Sequence, residues 1–502
     1  MNSSQYILAF DVGTSGAKGV LTDMCGAILF AETEAYPLIS LHPGWGEQDP
    51  ECYWNSVCKI TKKLLSASGI SPSSVAGIAF GTMWKGTIPI DRDGRILHNS
   101  LLWLDARAGE QAKQLNEKFG PGRFGAATYL SKLMWLRQEH PEIVEKAECI
   151  LEVNSFLKWR ATGSRAVDIS NCLVASFDPE LDARYAQLFD FMDIPREKFP
   201  PYVHSQDLVG CLTEDAAVQM GLVSGIPVFG GCNDLQAATV GAGCAVPGAV
   251  YAYFGSSGWI GYTRPHKTAL DGNSPFDETQ DVAVIGVRSI GLSFNWTART
   301  LYKAEFESMG NGVFPLIDRD AEEIPPGSDG VLAAPWFYGE WPPLAGLNAR
   351  GSFLNLAPYH DRRHMARAVM EGLCFNLRIR AEHAASRNLF TWPAALNAIG
   401  GGACSEVWMQ ILADIMNTEV RVPYKPQHAG AAGTACCALV GLGVWSDYAE
   451  AAKNLPIEKH FKPRPEAVKI YEKNFAVYKQ LYSLLKPVFD QMNTAGTEGK
   501  NK

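Results

Sequence analysis

The sequence predicts an α/β protein made of two related domains facing a cleft. Three observations carry this. Apolar strand-like runs alternate with helical patterns. The 502 residues exceed what one core organises. One strand–turn–strand pattern also occurs twice, almost half a chain apart. YILAFDVGTSGAKGVLTD at 6–23 is echoed by AVYAYFGSSGWIGYTR at 249–264. Each copy is an apolar run, then Gly-[Thr/Ser]-Ser-Gly, then a second run. The expected division is 1–248, 249–450, a helical extension at 451–492 and a disordered tail at 493–502.

The elements follow in order. Ile7–Phe10 and Gly19–Leu21 read as strands joined by a turn over Val12–Lys18. Further strands are expected at Ala27–Thr33, Val75–Gly81 and Thr87–Asp91. Between them Pro50–Ser66 reads as a helix, with Asp49 as cap and Pro50 as first helical residue. Helical patterns recur at Ser131–Glu139, Pro141–Ala147, Glu214–Met220, His364–Ala385, Glu406–Met416 and Ala467–Met492. Residues 235–263 carry no charge, but six glycines and Pro247 interrupt them. A buried strand pair with a turn fits that stretch better than a membrane span.

Bulk properties narrow the function. A net charge of −8, and no Lys/Arg cluster with interleaved aromatics, argue against a nucleic-acid partner. The twelve cysteines form no C-x-x-C pair, which disfavours zinc and fits a reducing cytoplasm. No signal peptide or membrane segment is apparent.

The glycine turns carry the first chemical signal. Tight turns rich in glycine and hydroxyls present backbone N–H groups to anions, which makes Gly13, Thr14, Ser15, Gly255, Ser256 and Ser257 candidate phosphate contacts. The first turn fits neither G-x-x-x-x-G-K-[ST] nor G-x-G-x-x-G. A third cluster, Gly400–Gly402 with Ala403, lies between a strand and a helix with apolar positions Val407, Ile411, Leu412 and Ile415. There a flat or phosphate-bearing ligand can approach backbone; close helix–strand packing is the other reading. Asp234 follows the apolar strand Ile226–Phe229 and a Gly230–Gly231 turn. A general base and a helix cap are both open for it on the residues alone. Asp11 is either a site carboxylate or a turn aspartate, and Lys18 reads as a solvated lysine.

Seven ordered segments across residues 5–445 together resemble the FGGY carbohydrate kinases, the sugar-kinase branch of the actin/hexokinase-like (ribonuclease H-like) ATPases. They are DVGTSGAK, LLWLDARA at 101–108, SKLMWLRQEHPEIVEKA, GIPVFGGCNDLQAATVGAG, FGSSGWI, RGSFLNLAPYHDRRHMARAVMEGLCFNLR and GGACSEVWMQILADI. Xylulokinase-like members match best overall. The resemblance implies two actin-like domains, ATP mainly on the second and the sugar on the first. It makes Asp234 the catalytic base and gives Asp11 to Mg²⁺, directly or through water. Gly13–Ser15 would supply donors to the β/γ-phosphates. It places Gly255, Ser256, Ser257, Gly401, Gly402 and Ala403 on the nucleotide. GLSFNW at 291–296 resembles a ribose-side turn, making Asn295 a nucleotide candidate with a helix cap as alternative. Trp103 (otherwise a core aromatic) and Asp105 would touch sugar; Asp105 with Arg107 could instead be a surface ion pair.

Departures from the pattern concern the sugar. Trp84 and Lys85 stand in GTMWKG where relatives carry Met-His-Gly or Gln-x-x-Gly. Leu235 follows Asp234 where polar residues are common. YGEWPPLAGLNARG at 338–351 lacks the usual Arg-x-Pro-x-x-Asp pattern. VPYKPQHAGAAGTA lacks the usual Glu on the adenosine side. The expected activity is phosphorylation of a xylulose-like ketose or polyol with ATP and Mg²⁺. The alternatives are a sugar-acid kinase and a catalytically weak actin-like nucleotide-binding protein. A homodimer is an open possibility for the assembly.

Overall fold

Each copy of the repeated hairpin seeds one sheet of the computed structural model, which describes residues 5–175, 179–265, 274–275, 280–342 and 344–493. The first sheet runs Leu208–Cys211, Pro227–Phe229, Val75–Thr82, Tyr6–Val12, Gly16–Asp23, Ile28–Ala35, and the short strand Cys232–Asn233 also pairs with Val75–Thr82. The second runs Ser274–Pro275, Gln280–Val287, Gly258–Pro265, Val250–Phe254, Ala395–Ile399, Glu419–Pro423, Ile457–Phe461. In both, the first hairpin strand has its antiparallel partner on one side and a parallel strand on the other. A second parallel strand and then an antiparallel one follow outward. The turns are three residues long, 13–15 and 255–257, shorter than the Val12–Lys18 turn expected.

The strand Tyr6–Val12 is apolar on both faces because helices cover both. Leu8 and Phe10 pack with Tyr53, Trp54 and Val57 of the helix Glu51–Ser68. Ile7 and Ala9 pack with Ala431, Ala435 and Leu439 of the helix Ala429–Gly441. Large apolar side chains buried this way contribute about 1.5–3 kcal/mol each. The helix Ala429–Gly441 also lies close against Asp234–Gly241. A Cβ on Gly433 would come within 1.9 Å of the Ala237 carbonyl oxygen.

Contacts divide the chain into two units, 1–246 with 264–282 and 428–455, and 247–263 with 283–427 and 456–502. The division is not one cut in the sequence: the helix Ala429–Gly441, grouped by sequence with 249–450, packs in the first unit. In the second unit the helices Arg362–Ser386 and Pro465–Asn493 share a buried network. Arg367 Nε donates to Glu371 at 2.9 Å, and Tyr471 Oη donates to the same carboxylate at 2.8 Å.

Several expectations change. Residues 235–263 are not one strand pair: Asp234–Gly241 is helical and the hairpin starts at Val250. The first helix begins at Glu51 with Pro50 in the capping position, and Asp49 accepts from the Glu51 N–H at 3.0 Å. GLSFNW is the start of the helix Gly291–Leu301, not a turn. Of the expected tail, 494–502 lie outside the described residues. Among the described residues no helix is long and apolar enough to cross a membrane.

Candidate active site

Ligand-binding groups of α/β sheets gather at the carboxyl ends of parallel strands, where loops leave the sheet. In the first unit three chain segments end together there. Asp11 pairs in register with Gly81, and Cys232 also pairs with Gly81, on the other side of that strand. The strand Tyr6–Val12 thus delivers Asp11, Val75–Thr82 leads into Met83–Lys85, and Cys232–Asn233 leads into Asp234.

Asp234 is the first residue of its helix, and the cap is Asn233, whose Oδ1 accepts from the Gln236 N–H at 2.8 Å. Asn233 is fixed in turn: its N–H donates to Ser170 Oγ and its Nδ2 to Ser170 O, both at 2.8 Å. The cap reading of Asp234 therefore gives way, leaving its carboxylate free of capping duty. Gly231 upstream has φ +68°, and a Cβ there would lie 2.1 Å from the Phe80 carbonyl oxygen. Crowding, as well as conformation, demands glycine there.

The protein packed around Asp234 pushes its pKa up to about 7, with the like charge of Asp11 adding and Lys85 opposing. Asp11 is also raised, by burial, while Lys18 beside it in the hairpin pulls the other way. Lys18 therefore acts on the site's electrostatics. The turn reading of Asp11 fails because it is a strand residue. Helix Ala429–Gly441 reaches it: a Cβ on Gly430 would lie 2.7 Å from Asp11 Oδ2. A segment assigned by sequence to the adenosine side thus borders Asp11.

In the first turn the Gly13 N–H is spent on Gly16 O at 3.0 Å, so Gly13 offers no free donor. Thr14 Oγ1 accepts from Trp103 Nε1 at 2.9 Å, and its carbonyl accepts from Gln48 Nε2 at 2.7 Å. Trp103 is half exposed, so the core-aromatic reading fails, and its indole ties the 101–105 segment to the glycine turn. Asp105 and Arg107 are not a surface pair. Asp105 is fully buried, with Arg107 Nε 2.9 and 3.0 Å from its two oxygens and Arg107 Nη2 2.6 Å from Glu47. The guanidinium lies 3.8 Å from the Trp45 ring centre and 4.7 Å from that of Trp135. Asp105 Oδ2 also accepts from the Gly46 N–H at 2.7 Å. Asp105 is thereby a fastener of this wall rather than an open substrate contact.

Sequence reasoning missed Lys132. This buried lysine donates to the carbonyls of Lys85 at 2.8 Å, Leu101 at 3.2 Å and Leu102 at 2.6 Å. The segment SKLMWL signalled its helix, but nothing local revealed which backbone it would reach.

In the second unit the turn 255–257 carries the start of a helix: the N–H groups of Ile290, Gly291 and Leu292 donate to carbonyls of Gly255 and Ser256. Among the described residues, Ser256 and Ser257 find no side-chain hydrogen-bond partner. Asn295 sits in the second turn of that helix, so its cap reading fails. Gly401, Gly402 and Ala403 form a short 3₁₀ turn between Ala395–Ile399 and Glu406–Met416. The unusual 338–351 segment is anchored by Glu340, which accepts from the N–H groups of Arg288 and Trp341.

Paired sheets of this plan, each with a glycine hairpin, define a class of protein, and comparison with known proteins identifies its branch. The FGGY family of carbohydrate kinases, N-terminal domain, matches residues 6–241, and its C-terminal domain matches 250–442. The chain belongs to this family and is a carbohydrate kinase. The xylulose kinase of Bacillus subtilis (strain 168) is 29% identical over 98% of this chain and 98% of its own. The L-xylulose/3-keto-L-gulonate kinase of Escherichia coli (strain K12) is 28% identical over 96% and 97%. The crystal structure of a gluconate kinase from Lactobacillus acidophilus superimposes with a TM-score of 0.81 at 25% identity, covering 97% of this chain and 100% of that one.

Proposed function

We propose that the protein transfers the γ-phosphate of ATP to a hydroxyl of a ketose or related polyol, xylulose being the best-supported acceptor. The observation that carries this reading is the meeting of Asp11 and Asp234, two carboxylates with raised pKa values, at one end of one sheet. Phosphoryl transfer needs a base for the incoming hydroxyl and cationic help for the phosphates. Asp234 serves as the base, its pKa near 7 matching the work at neutral pH. In this reading the 1–248 domain holds sugar, through Trp84, Lys85, Trp103 and Asp234, with Asp105 holding the wall behind them. The 249–450 domain holds nucleotide through Gly255, Ser256, Ser257, Asn295, Gly401, Gly402 and Ala403, while Thr14 and Ser15 meet the phosphates.

Mg²⁺ suits the donor set. Among the described residues no cluster of three or more metal-ligating side chains exists. Mg²⁺ commonly uses one or two carboxylates, phosphate oxygens and waters, and Asp11 beside Asp234 supplies such a carboxylate. When bound, Mg²⁺ would neutralise phosphate charge. All twelve cysteines are free thiols, which supports a reducing, cytoplasmic setting. The test is sugar-dependent ADP release across pentuloses, hexuloses, polyols and aldonates. Nucleotide binding with no sugar-stimulated turnover would refute the proposal.

A further inference from the structure

Asp234 opens a helix of only eight residues, so the direction of its side chain depends on how the residue before it is held. Asn233 is held three ways. Its Oδ1 caps the helix, its N–H donates to Ser170 Oγ, and its Nδ2 donates to Ser170 O. Two of these bonds end on one fully buried serine, 63 residues upstream. A serine hydroxyl has one proton to give and lone pairs that accept. It serves the Asn233 N–H only when its own proton points elsewhere.

Asp168 takes that proton. The Ser170 hydroxyl donates to the Asp168 carboxylate, which leaves its lone pairs for the Asn233 N–H. The carboxylate is fixed as well: it is fully buried and accepts from the Ser170 N–H at 2.9 Å and from Asn171 Nδ2 at 2.5 Å. Asp168 lies on the strand Val167–Asp168, which pairs with Tyr202–Val203. The buried ammonium of Lys158 faces Asp168 and donates to Gly230 O at 2.9 Å, in the glycine turn that precedes Asn233. Asn154 Nδ2 donates to the same carbonyl at 3.2 Å and to Phe80 O at 2.9 Å. The segment that delivers Asp234 is thus tied at Gly230 and again at Asn233.

Resting on the base role proposed above for Asp234, we infer that Ser170 and Asp168 are positioning residues for phosphoryl transfer. Asp168 orients the Ser170 hydroxyl, Ser170 fixes Asn233, and Asn233 sets the direction from which the Asp234 carboxylate meets the acceptor hydroxyl. A base acts only within hydrogen-bond reach of the proton it takes. A displacement of about 1 Å costs roughly a hundredfold in rate.

A double-mutant cycle tests this, because groups that act through one residue lose their effect once that residue is gone. Ser170→Ala removes the acceptor of the Asn233 N–H. Asn233→Ser removes only the side-chain bond to Ser170 O, and serine keeps the helix capped. Each is made in wild type and in Asp234→Asn. The acceptor is the sugar of the panel above that wild type phosphorylates fastest, and kcat, KM, ATP-analogue binding and thermal unfolding are measured. In wild type both variants are expected to lower kcat, Ser170→Ala by about ten- to a hundredfold. KM for sugar and analogue affinity are expected to stay nearly unchanged. In Asp234→Asn, where no base is left to aim, the same substitutions are expected to cost almost nothing. Equal losses in the two backgrounds, or a raised KM with kcat retained, overturn the inference: these groups would then support the fold or the sugar wall. If Ser170→Ala does not fold, Asn233→Ser decides by the same cycle. The two readings fail separately. Wild-type kcat in Asp234→Asn refutes the base, whereas a deep loss there with no loss in Ser170→Ala or Asn233→Ser refutes only the positioning.

Discussion

On the proposed function, replacing Asp234 with Asn removes the base while leaving its surroundings in place, and the structure sets the expected size of each effect. The helix cap belongs to Asn233, so the helix keeps its first hydrogen bond to Gln236. Folding should be unharmed, and the sign is favourable. A carboxyl raised from 3.8 to about 7 in the folded protein opposes folding as pH climbs from the lower value to the higher. That penalty is complete above pH about 7, and a neutral Asn does not carry it. At pH 8 the variant should therefore unfold at the same temperature as wild type or higher. Its kcat should fall ~10²–10⁴-fold, the usual worth of a general base, with ATP-analogue affinity near wild type. In wild type, kcat/KM should rise with pH through about 7 as the free-enzyme base ionises. Steady-state ADP release, analogue binding and thermal unfolding on one preparation check all three. Retention of more than about a tenth of kcat, below the loss expected of a base, with chemistry limiting turnover would refute the assignment. Unfolding of the variant would refute the argument that Asn233 alone caps the helix.

Other expectations follow from single contacts. Arg107→Ala strands the buried carboxylate of Asp105 beside Glu47. Breaking such a pair costs about 3–5 kcal/mol, readable as a fall in the urea midpoint, and Arg107→Lys should recover only part of it. Gly433→Ala forces the helix Ala429–Gly441 away from the helix that begins at Asp234, since the added carbon would meet Ala237 O at 1.9 Å. Overpacking of this kind costs about 1–3 kcal/mol and should lower kcat as well, whereas Gly109→Ala, with nothing within 4 Å, should do neither. Chelation of divalent metal with EDTA should abolish turnover, and added Mg²⁺ should restore it. Full turnover by the chelated protein with no metal added would exclude the metal role of Asp11.

The hairpins, the alternation of strands and helices, and the family's ordered motifs were legible because they are local. A glycine turn between two apolar runs dictates its own geometry. Asp234 was legible as a carboxylate at a strand end, but whether it capped its helix was not. That turned on Ser170, distant in sequence, which locks Asn233 into the capping place. Trp103 could not be told from a core aromatic, because only the fold brings Thr14 to its indole. Asp105 and Arg107 looked like a surface pair for the same reason: Glu47, Trp45 and Trp135 arrive from three other segments.

The sequence by itself determined the class of fold, the twofold hairpin plan, and which carboxylates and glycine turns were available for chemistry. Hydrophobic period and turn composition encode these within a few neighbouring residues. Only the tertiary structure decided that the helix Ala429–Gly441 belongs beside Asp11, and that Lys132 spends its charge on three carbonyls. It alone decided that Lys85 is held at positive φ with its ammonium over the Trp84 ring. Those outcomes depend on which distant backbone groups are buried together. In a buried environment every ammonium and carboxylate must find partners or shift its pKa, and partners far apart in the chain are chosen by packing.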